Sequence, residues 1–529
     1  MRRFLLFVAA ACVLAAGVVV SGFASGSSEA KSSAQAQALV YGTTDKVTQM
    51  DPASAYDFHT WEIFQNIDQG LLTYKPGTSE VVPGLAESYT VSDKGDVYTF
   101  KLRKGLKFSN GDPFDANVVK WSIDRVMRLK GDPSWLVTSF VKSVDVVDQY
   151  TVRFNLIGPT AYFPTLLPTP TYFPVDPKQY PADKIINDVT ELPGGVIAGL
   201  GPYVMKSFKR DEQAEFTANP NYYGAQPKIP TIILRYFADA TTLRLALQSG
   251  DVDLAYKTLN PSDIKSMSAD PNFTAYTLPG PFIRYLCFET SQSVFKDKVL
   301  RQAIAALINR PDINQKVYLG QASPLYSMIP VGMAYHTDDF KTVFGDGNIQ
   351  LAQKLLSQAG YSQSNPLTFD LWYTPSHYGD TEVNLAQVVK NQLEASGMVK
   401  VTLKSAEWAT YKQQWHDKQM ASYFLGWYPD YVDPDDYTAA FAQTQGSAGE
   451  GIYFSNPTWD KMFAEEETTS DPNVRGQIFT KIQTMWTDEV PTVPIYQDNL
   501  HVFTKTNIKG VKIGPPLIFN WDQLYYSTN

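Results

Sequence analysis

At 529 residues, 44% hydrophobic and 19% charged, the chain is too long for one core and too apolar for a disordered protein, so two or three globular domains are expected. A net charge of −9 argues against nucleic acid and anionic lipid as partners. The aromatic share of 13%, with 31 Tyr and 10 Trp, suits ligand handling by stacking and hydroxyl contacts, or simply the filling of large cores.

Residues 1–24 read as an export signal, with Arg2 and Arg3, an apolar run from Phe4 to Val20, and Gly22-Phe23-Ala24 as a small-x-small cleavage site. Cleavage is expected after Ala24. Cys12 follows three alanines and offers a lipid attachment point, but the apolar run continues past it. One signal core and a soluble mature protein explain that continuity better. Only Cys287 then remains, which precludes an internal disulfide. Nothing after Val20 approaches the roughly 18 apolar residues of a membrane span.

Residues 25–38, rich in Ser, Ala and Gln, read as a flexible leader, and LVYGT from Leu39 as the first strand. Met50-Asp51-Pro52 is a turn, followed by a helix over about 60–70 with Ile63, Phe64, Ile67 and Leu71 on one face. Val97 to Leu102 alternates like a half-buried strand, and Asp115 is placed to cap a helix that runs to about Arg128. The charges between Leu85 and Arg125 read as a solvated face. Two more strands are expected in 142–156, and the Pro-, Tyr- and Gly-rich segment 158–196 reads as a surface excursion.

Strands are predicted near 214–217 and 232–236, and a helix capped by Asp239 and stopped by Gly250. Arg284 to Glu289 is strand-like and Lys298 to Ile308 an amphipathic helix. Beyond it, helices at about 350–359, 381–396, 411–418 and 474–486 alternate with strands at 367–374, 400–403 and 421–427, the pattern of a sheet with helices on its faces. Two strands, 493–497 and 500–504, close the chain.

The stretch Gly426 to Phe441, GWYPDYVDPDDYTAAF, sets aromatics beside carboxylates after a predicted strand. Asp430 suits an ammonium group through a charge-assisted hydrogen bond, with Trp427 and Tyr431 as flat cation–π walls. The alternative is a solvated acidic turn with ordinary packing aromatics. The five histidines, at 59, 336, 377, 416 and 501, show no metal-binding spacing, and no nucleophile elbow, P-loop or dinucleotide glycine pattern occurs. Asp435 and Asp436 are adjacent and so cannot oppose each other across a glycosidic bond. These absences point away from an enzyme, a metal and a cofactor.

Eight stretches in order carry a resemblance: MDP at 50–52, PGLAESY at 83–89, YTFKLRKGLKFSNGDPFDANVV at 98–119, GPYVMKSF at 201–208, NPNYYG at 219–224, ALQSGDVDLA at 246–255, FKDKVLRQAIAALINR at 295–310 and GWYPDYVDPDDY at 426–437. Together they resemble the extracytoplasmic solute-binding proteins of ABC importers, in the family of the oligopeptide, dipeptide and nickel receptors. The resemblance implies an α/β, two-lobed periplasmic binding protein fold with a hinge and an extra α/β subdomain. It assigns 39–76, 198–285 and 496–529 to one lobe, 286–495 to the other and 77–197 to the subdomain. It also implies a monomer that delivers its ligand to an inner-membrane ABC permease with ATPase subunits.

In peptide-binding members of that family an Asp after the Gly-Trp takes the ligand's ammonium, which carries over to Asp430. Dipeptide receptors place an arginine for the ligand's carboxylate in the loop that here reads Pro375-Ser376-His377-Tyr378-Gly379-Asp380. Its absence favours oligopeptides over dipeptides. Oligosaccharides are the alternative, on Trp372, Trp408 and Trp427 as platforms, ahead of a nickel chelate or hydrolysis. His377, Tyr378 and Tyr56 complete the expected ligand contacts.

Overall fold

The computed structural model describes residues 38–257, 259–375, 377–379 and 381–527. The expected signal, its cleavage after Ala24, lipidation at Cys12 and the leader up to residue 37 lie outside the described residues. Two long strands, Phe273–Phe288 and Thr492–Lys505, form the backbone of the fold. They pair antiparallel from Phe273 opposite Lys505 to Cys287 opposite Thr492. The ladder breaks between Pro279 and Ile283. Proline cannot donate to a ladder, and at Gly280 an added Cβ would lie 3.0 Å from the Asp498 carbonyl.

That irregularity marks a change of core. Leu500 and Val502 belong to one hydrophobic core with Leu39, Ile63, Phe100 and Trp521. Ile283, Tyr285, Val493 and Ile495 belong to another with Leu307, Leu371, Phe424 and Trp459. Each strand therefore runs from one core into the other.

Both strands lie in an 11-stranded sheet. On one side Ser422–Trp427 pairs antiparallel with Phe273–Phe288 and parallel with Leu367–Tyr373, which pairs parallel with Val399–Ser405. Helices Glu382–Glu394 and Trp408–His416 make the crossovers that parallel pairing requires. On the other side Leu254–Ala255 joins Thr492–Lys505 to the parallel strands Leu39–Thr43 and Thr231–Tyr236, followed by Gln213–Ala218 and Tyr203–Lys209. A separate antiparallel sheet orders Ala86–Val91, Val97–Leu102, Thr151–Leu156 and Val141–Asp148, with helix Ala116–Leu129 packed on it. Among the described residues no helix is long and apolar enough to cross a membrane.

Local signals place many elements well. Asp115 accepts from the amides of Asn117 and Val118, and Asp239 caps Ala240–Ser249, which ends at Gly250 with φ 86°.

Four expectations need correction. The strand predicted to begin at Arg284 starts at Phe273, because Pro279-Gly280-Pro281 imitates a turn within it. The two closing strands are a single one. Segment 158–196 is no surface excursion, since Tyr162, Phe163, Leu166, Tyr172 and Tyr180 are buried; its prolines fix short helical turns that pack inward. Finally, Arg125 is not on a solvated face. It is buried and forks onto Asp51 at 2.8 and 2.6 Å, a pairing that strengthens when both groups leave water together.

Candidate functional site

A cavity of about 840 Å³ opens where the paired long strands pass from one core to the other, and Phe282, Asp498 and Asn499 line it there. Phe58, at the start of helix Phe58–Ile67, and Lys257 face it from the first core, and Tyr378, Trp408 and Trp427 from the second. A smaller cavity of about 200 Å³ adjoins it through Phe58, Trp427 and Tyr428, and contains Tyr56 and Asp430. The larger volume lies within the range of about 300–1,000 Å³ usual for small-ligand sites.

The acidic stretch builds the smaller cavity. The strand ends at Trp427, and a one-turn helix, Pro434–Tyr437, is capped by Asp433. Asp433 also forks onto Arg475 at 2.7 and 2.6 Å, while Arg475 bonds Glu466 at 3.0 and 2.6 Å. These fixed points hold the turn between them. Asp436 then positions two groups that line the cavity, accepting from Trp427 Nε1 at 3.0 Å and from the Asp430 amide at 3.2 Å. Asp430 is 8% exposed and accepts from the Tyr56 hydroxyl at 2.5 Å. The turn is thus acidic but not solvated: Asp430, Asp433, Asp435 and Asp436 are all buried.

Charge in the site is unbalanced. Burial pushes the Asp430 carboxyl up to about 6, with the Tyr56 hydrogen bond pulling it down. Burial, then Asp430, pushes Glu450 up to about 7, and burial pushes Asp498 up to about 7 against the Asn499 amide. Among the described residues none of these three, nor Asp436, makes an ion pair. Lys257 does, at 3.1 Å from Asp45; burial would depress its ammonium, but Asp45 and then Glu62 hold it raised. An ionised carboxylate enclosed without a cation is costly, so a cationic ligand group gains from entering here.

Of the residues singled out in the sequence, Trp427 lines both cavities, Tyr56 and Asp430 the smaller, and His377, Tyr378 and Trp408 the larger. His377 lies flat on Trp408, with centroids 3.7 Å apart. Burial, Arg284 and Lys412 lower its imidazole to about 4. Tyr431 and Trp372 line neither cavity. Tyr431 turns away to stack on Tyr162 at 5.3 Å and donates to Asp435, joining the first core. Trp372 packs half-buried against the second core. The sequence reading missed Phe58, Phe282, Lys257, Glu450 and Asp498; none has a motif, and they come from separate segments, Phe282 and Asp498 from the long strands, Phe58 from a helix start, Lys257 from just after Leu254–Ala255 and Glu450 from the end of helix Thr444–Gly449. Among the described residues no group of three His, Cys, Asp or Glu side chains could hold a metal ion.

Comparison with known proteins gives the same picture at the level of family. Residues 80–449 match the family model described as bacterial extracellular solute-binding proteins, family 5, middle. The chain is 26% identical over 515 residues to the dipeptide-binding protein of Escherichia coli strain K12, covering 91% of this chain and 93% of that one. It is 25% identical over 540 residues to heme-binding protein A of Haemophilus influenzae, covering 97% of each. The structure of HbpA2 from Haemophilus parasuis superposes with a TM-score of 0.83 at 22% identity, over 93% of this chain and all of that one. The shared fold is a two-lobed periplasmic binding protein fold.

Proposed function

The chain belongs to family 5 of the bacterial extracellular solute-binding proteins, and on that premise we propose that it captures a peptide between its lobes and delivers it unchanged to an ABC permease. One observation carries this reading: Asp430 is a buried carboxylate with a hydroxyl partner and, among the described residues, no ion-pair partner, in a cavity that adjoins a larger aromatic one. It fits a peptide's terminal ammonium, and the dipeptide-binding relative supports the ligand class. We assign residues 39–76, 198–285 and 496–529 to one lobe, 286–495 to the other and 77–197 to a subdomain beside the first.

The lobes close by bending where the long strands change core, which shifts the population toward the form the permease accepts. The receptor works as a periplasmic monomer, and hydrolysis of ATP belongs to the transporter. No arginine occupies the loop 375–380, which favours peptides longer than two residues.

Calorimetry with alanine peptides from the dimer to the pentamer tests the proposal. A bound ligand at 100 times its Kd adds about 2.7 kcal/mol of stability, so melting curves give a second readout. Stabilisation by oligosaccharides alone would assign Trp408 and Trp427 to sugar stacking. A haem absorption band on titration with haemin would assign the cleft to haem, and cleavage of the peptide by the protein would make it a hydrolase.

A further inference from the structure

A second charged group sits behind the cavity wall, and ammonium capture makes no use of it. Arg284 is fully buried on Phe273–Phe288, opposite Gly426 on one neighbouring strand and Tyr496 on the other. Its Nη2 donates to Glu382. Among the described residues its Nε and Nη1 find no acceptor, and Glu382 Oε1 finds no donor. A guanidinium carries five N–H groups, and folded proteins seldom leave buried donors unmatched.

Two other arginines make the contrast. Arg475 uses all three nitrogens, on Asp433 and Glu466 together. Arg310 is incompletely matched, but its neighbours Tyr326 and Phe340 border a void of about 10 Å³, too small for a ligand. Arg284 differs in what covers it. The Tyr378 ring lies 3.9 Å from the guanidinium carbon, and Tyr378, Tyr318, Tyr496 and Thr381 all line the large cavity.

We propose that Arg284 is the carboxylate receptor of this cleft. The Tyr378 ring turns aside as the ligand enters, and an unmatched donor, Nε–H or Nη1–H, takes a carboxylate together with the Nη2 beside it, the carboxylate being the C-terminus of a short peptide. Glu382 and the ligand then share one guanidinium as Asp433 and Glu466 share Arg475. Trp427 lines both cavities, so a peptide with its ammonium at Asp430 passes that indole on its way to Tyr378. The assignment rests on the peptide reading above.

The test is calorimetry at neutral pH with alanine peptides as free acids, C-terminal amides and N-acetyl derivatives. Amidation should weaken binding about tenfold or more, the usual effect of losing a charged hydrogen bond. In Arg284→Gln the acid and amide should bind alike. In Glu382→Gln, where no carboxylate competes, the preference for the acid should grow. This second variant decides the matter if Arg284→Gln does not fold. Equal affinity for acid and amide in the wild type, or an unchanged preference in either folded variant, overturns the assignment while leaving the peptide reading intact. If none of the peptides binds, the peptide reading falls and takes this assignment with it.

Discussion

Tyr56 donates its hydroxyl to Asp430 at 2.5 Å although 374 residues separate them in sequence. Tyr56 precedes helix Phe58–Ile67 of the first core, and Asp430 follows the strand Ser422–Trp427 of the second. The bond therefore spans the cleft. Asp430 thus lines a cavity and also ties together segments that neighbour the two cores.

Replacing Asp430 by Asn should weaken peptide binding by more than about 1.5 kcal/mol, roughly tenfold, since a charge-assisted bond to the ammonium is lost. Isothermal calorimetry measures this directly. Unchanged affinity would remove Asp430 from the binding role.

The same change should have the opposite effect on the ligand-free protein. Burial raises the Asp430 carboxyl from 3.8 to about 6, so the folded state holds this proton more tightly than the unfolded state. Its contribution to stability is then present at low pH and is lost as pH rises from about 4 through about 6. At about pH 7.5 Asp430→Asn should be more stable than wild type, by as much as about 3 kcal/mol, with the difference vanishing near pH 4. Carboxyls elsewhere that titrate in the opposite sense are common to both proteins and cancel. Urea unfolding across this range checks it, and a difference independent of pH contradicts it. Ammonium binding needs the anion, so wild-type affinity should fall as pH drops through about 6. Tyr56→Phe, which removes the hydrogen bond holding that value down, should move the fall to higher pH.

Arg475 joins Asp433 and Glu466 in a buried network, and its guanidinium lies 5.5 Å from the Tyr162 ring centroid. Arg475→Met strands two buried carboxylates and should cost about 3–5 kcal/mol in urea unfolding. Arg475→Lys should recover part of this, keeping charge but not the fork. A loss under about 1 kcal/mol in the Met variant would mean that the carboxylates take up protons or water instead.

At Gly426 an added Cβ would meet Phe282 at 2.5 Å and Tyr378 at 2.9 Å, both ring edges that line the large cavity. Gly426→Ala should push these rings into the cavity. Peptide affinity should fall about tenfold or more while the melting temperature moves little, because the contacts are side-chain ends with space beside them. Retained affinity would mean that ligand does not occupy this part of the cleft.

Sequence reading served where the signal was local. Asp115, Asp239 and Gly250 each follow from the chemistry of a helix end, and the stretch from Gly426 concentrates the site's acids where a strand stops. It failed where pairing at long range decides the outcome. Pro279-Gly280-Pro281 looks like a turn until Thr492–Lys505 is beside it. Arg125 looks solvated until Asp51, 74 residues away, closes on it. Tyr431 and Trp427 are indistinguishable as neighbours of Asp430, yet Tyr162 draws one away and Asp436 fixes the other in the cleft. Phe58, Lys257 and Asp498 come from distant segments with no shared motif.

The first core ties together segments that lie far apart in the sequence, Ile63 and Trp521 among them. Trp521 Nε1 donates to Glu62, and Asn66 brackets the backbone of Phe519 and Trp521, so helix Phe58–Ile67 leans on residues 453 to 459 positions further along the chain. A substitution that loosens Trp521 therefore loosens helix Phe58–Ile67 as well, although the chain places the two far apart.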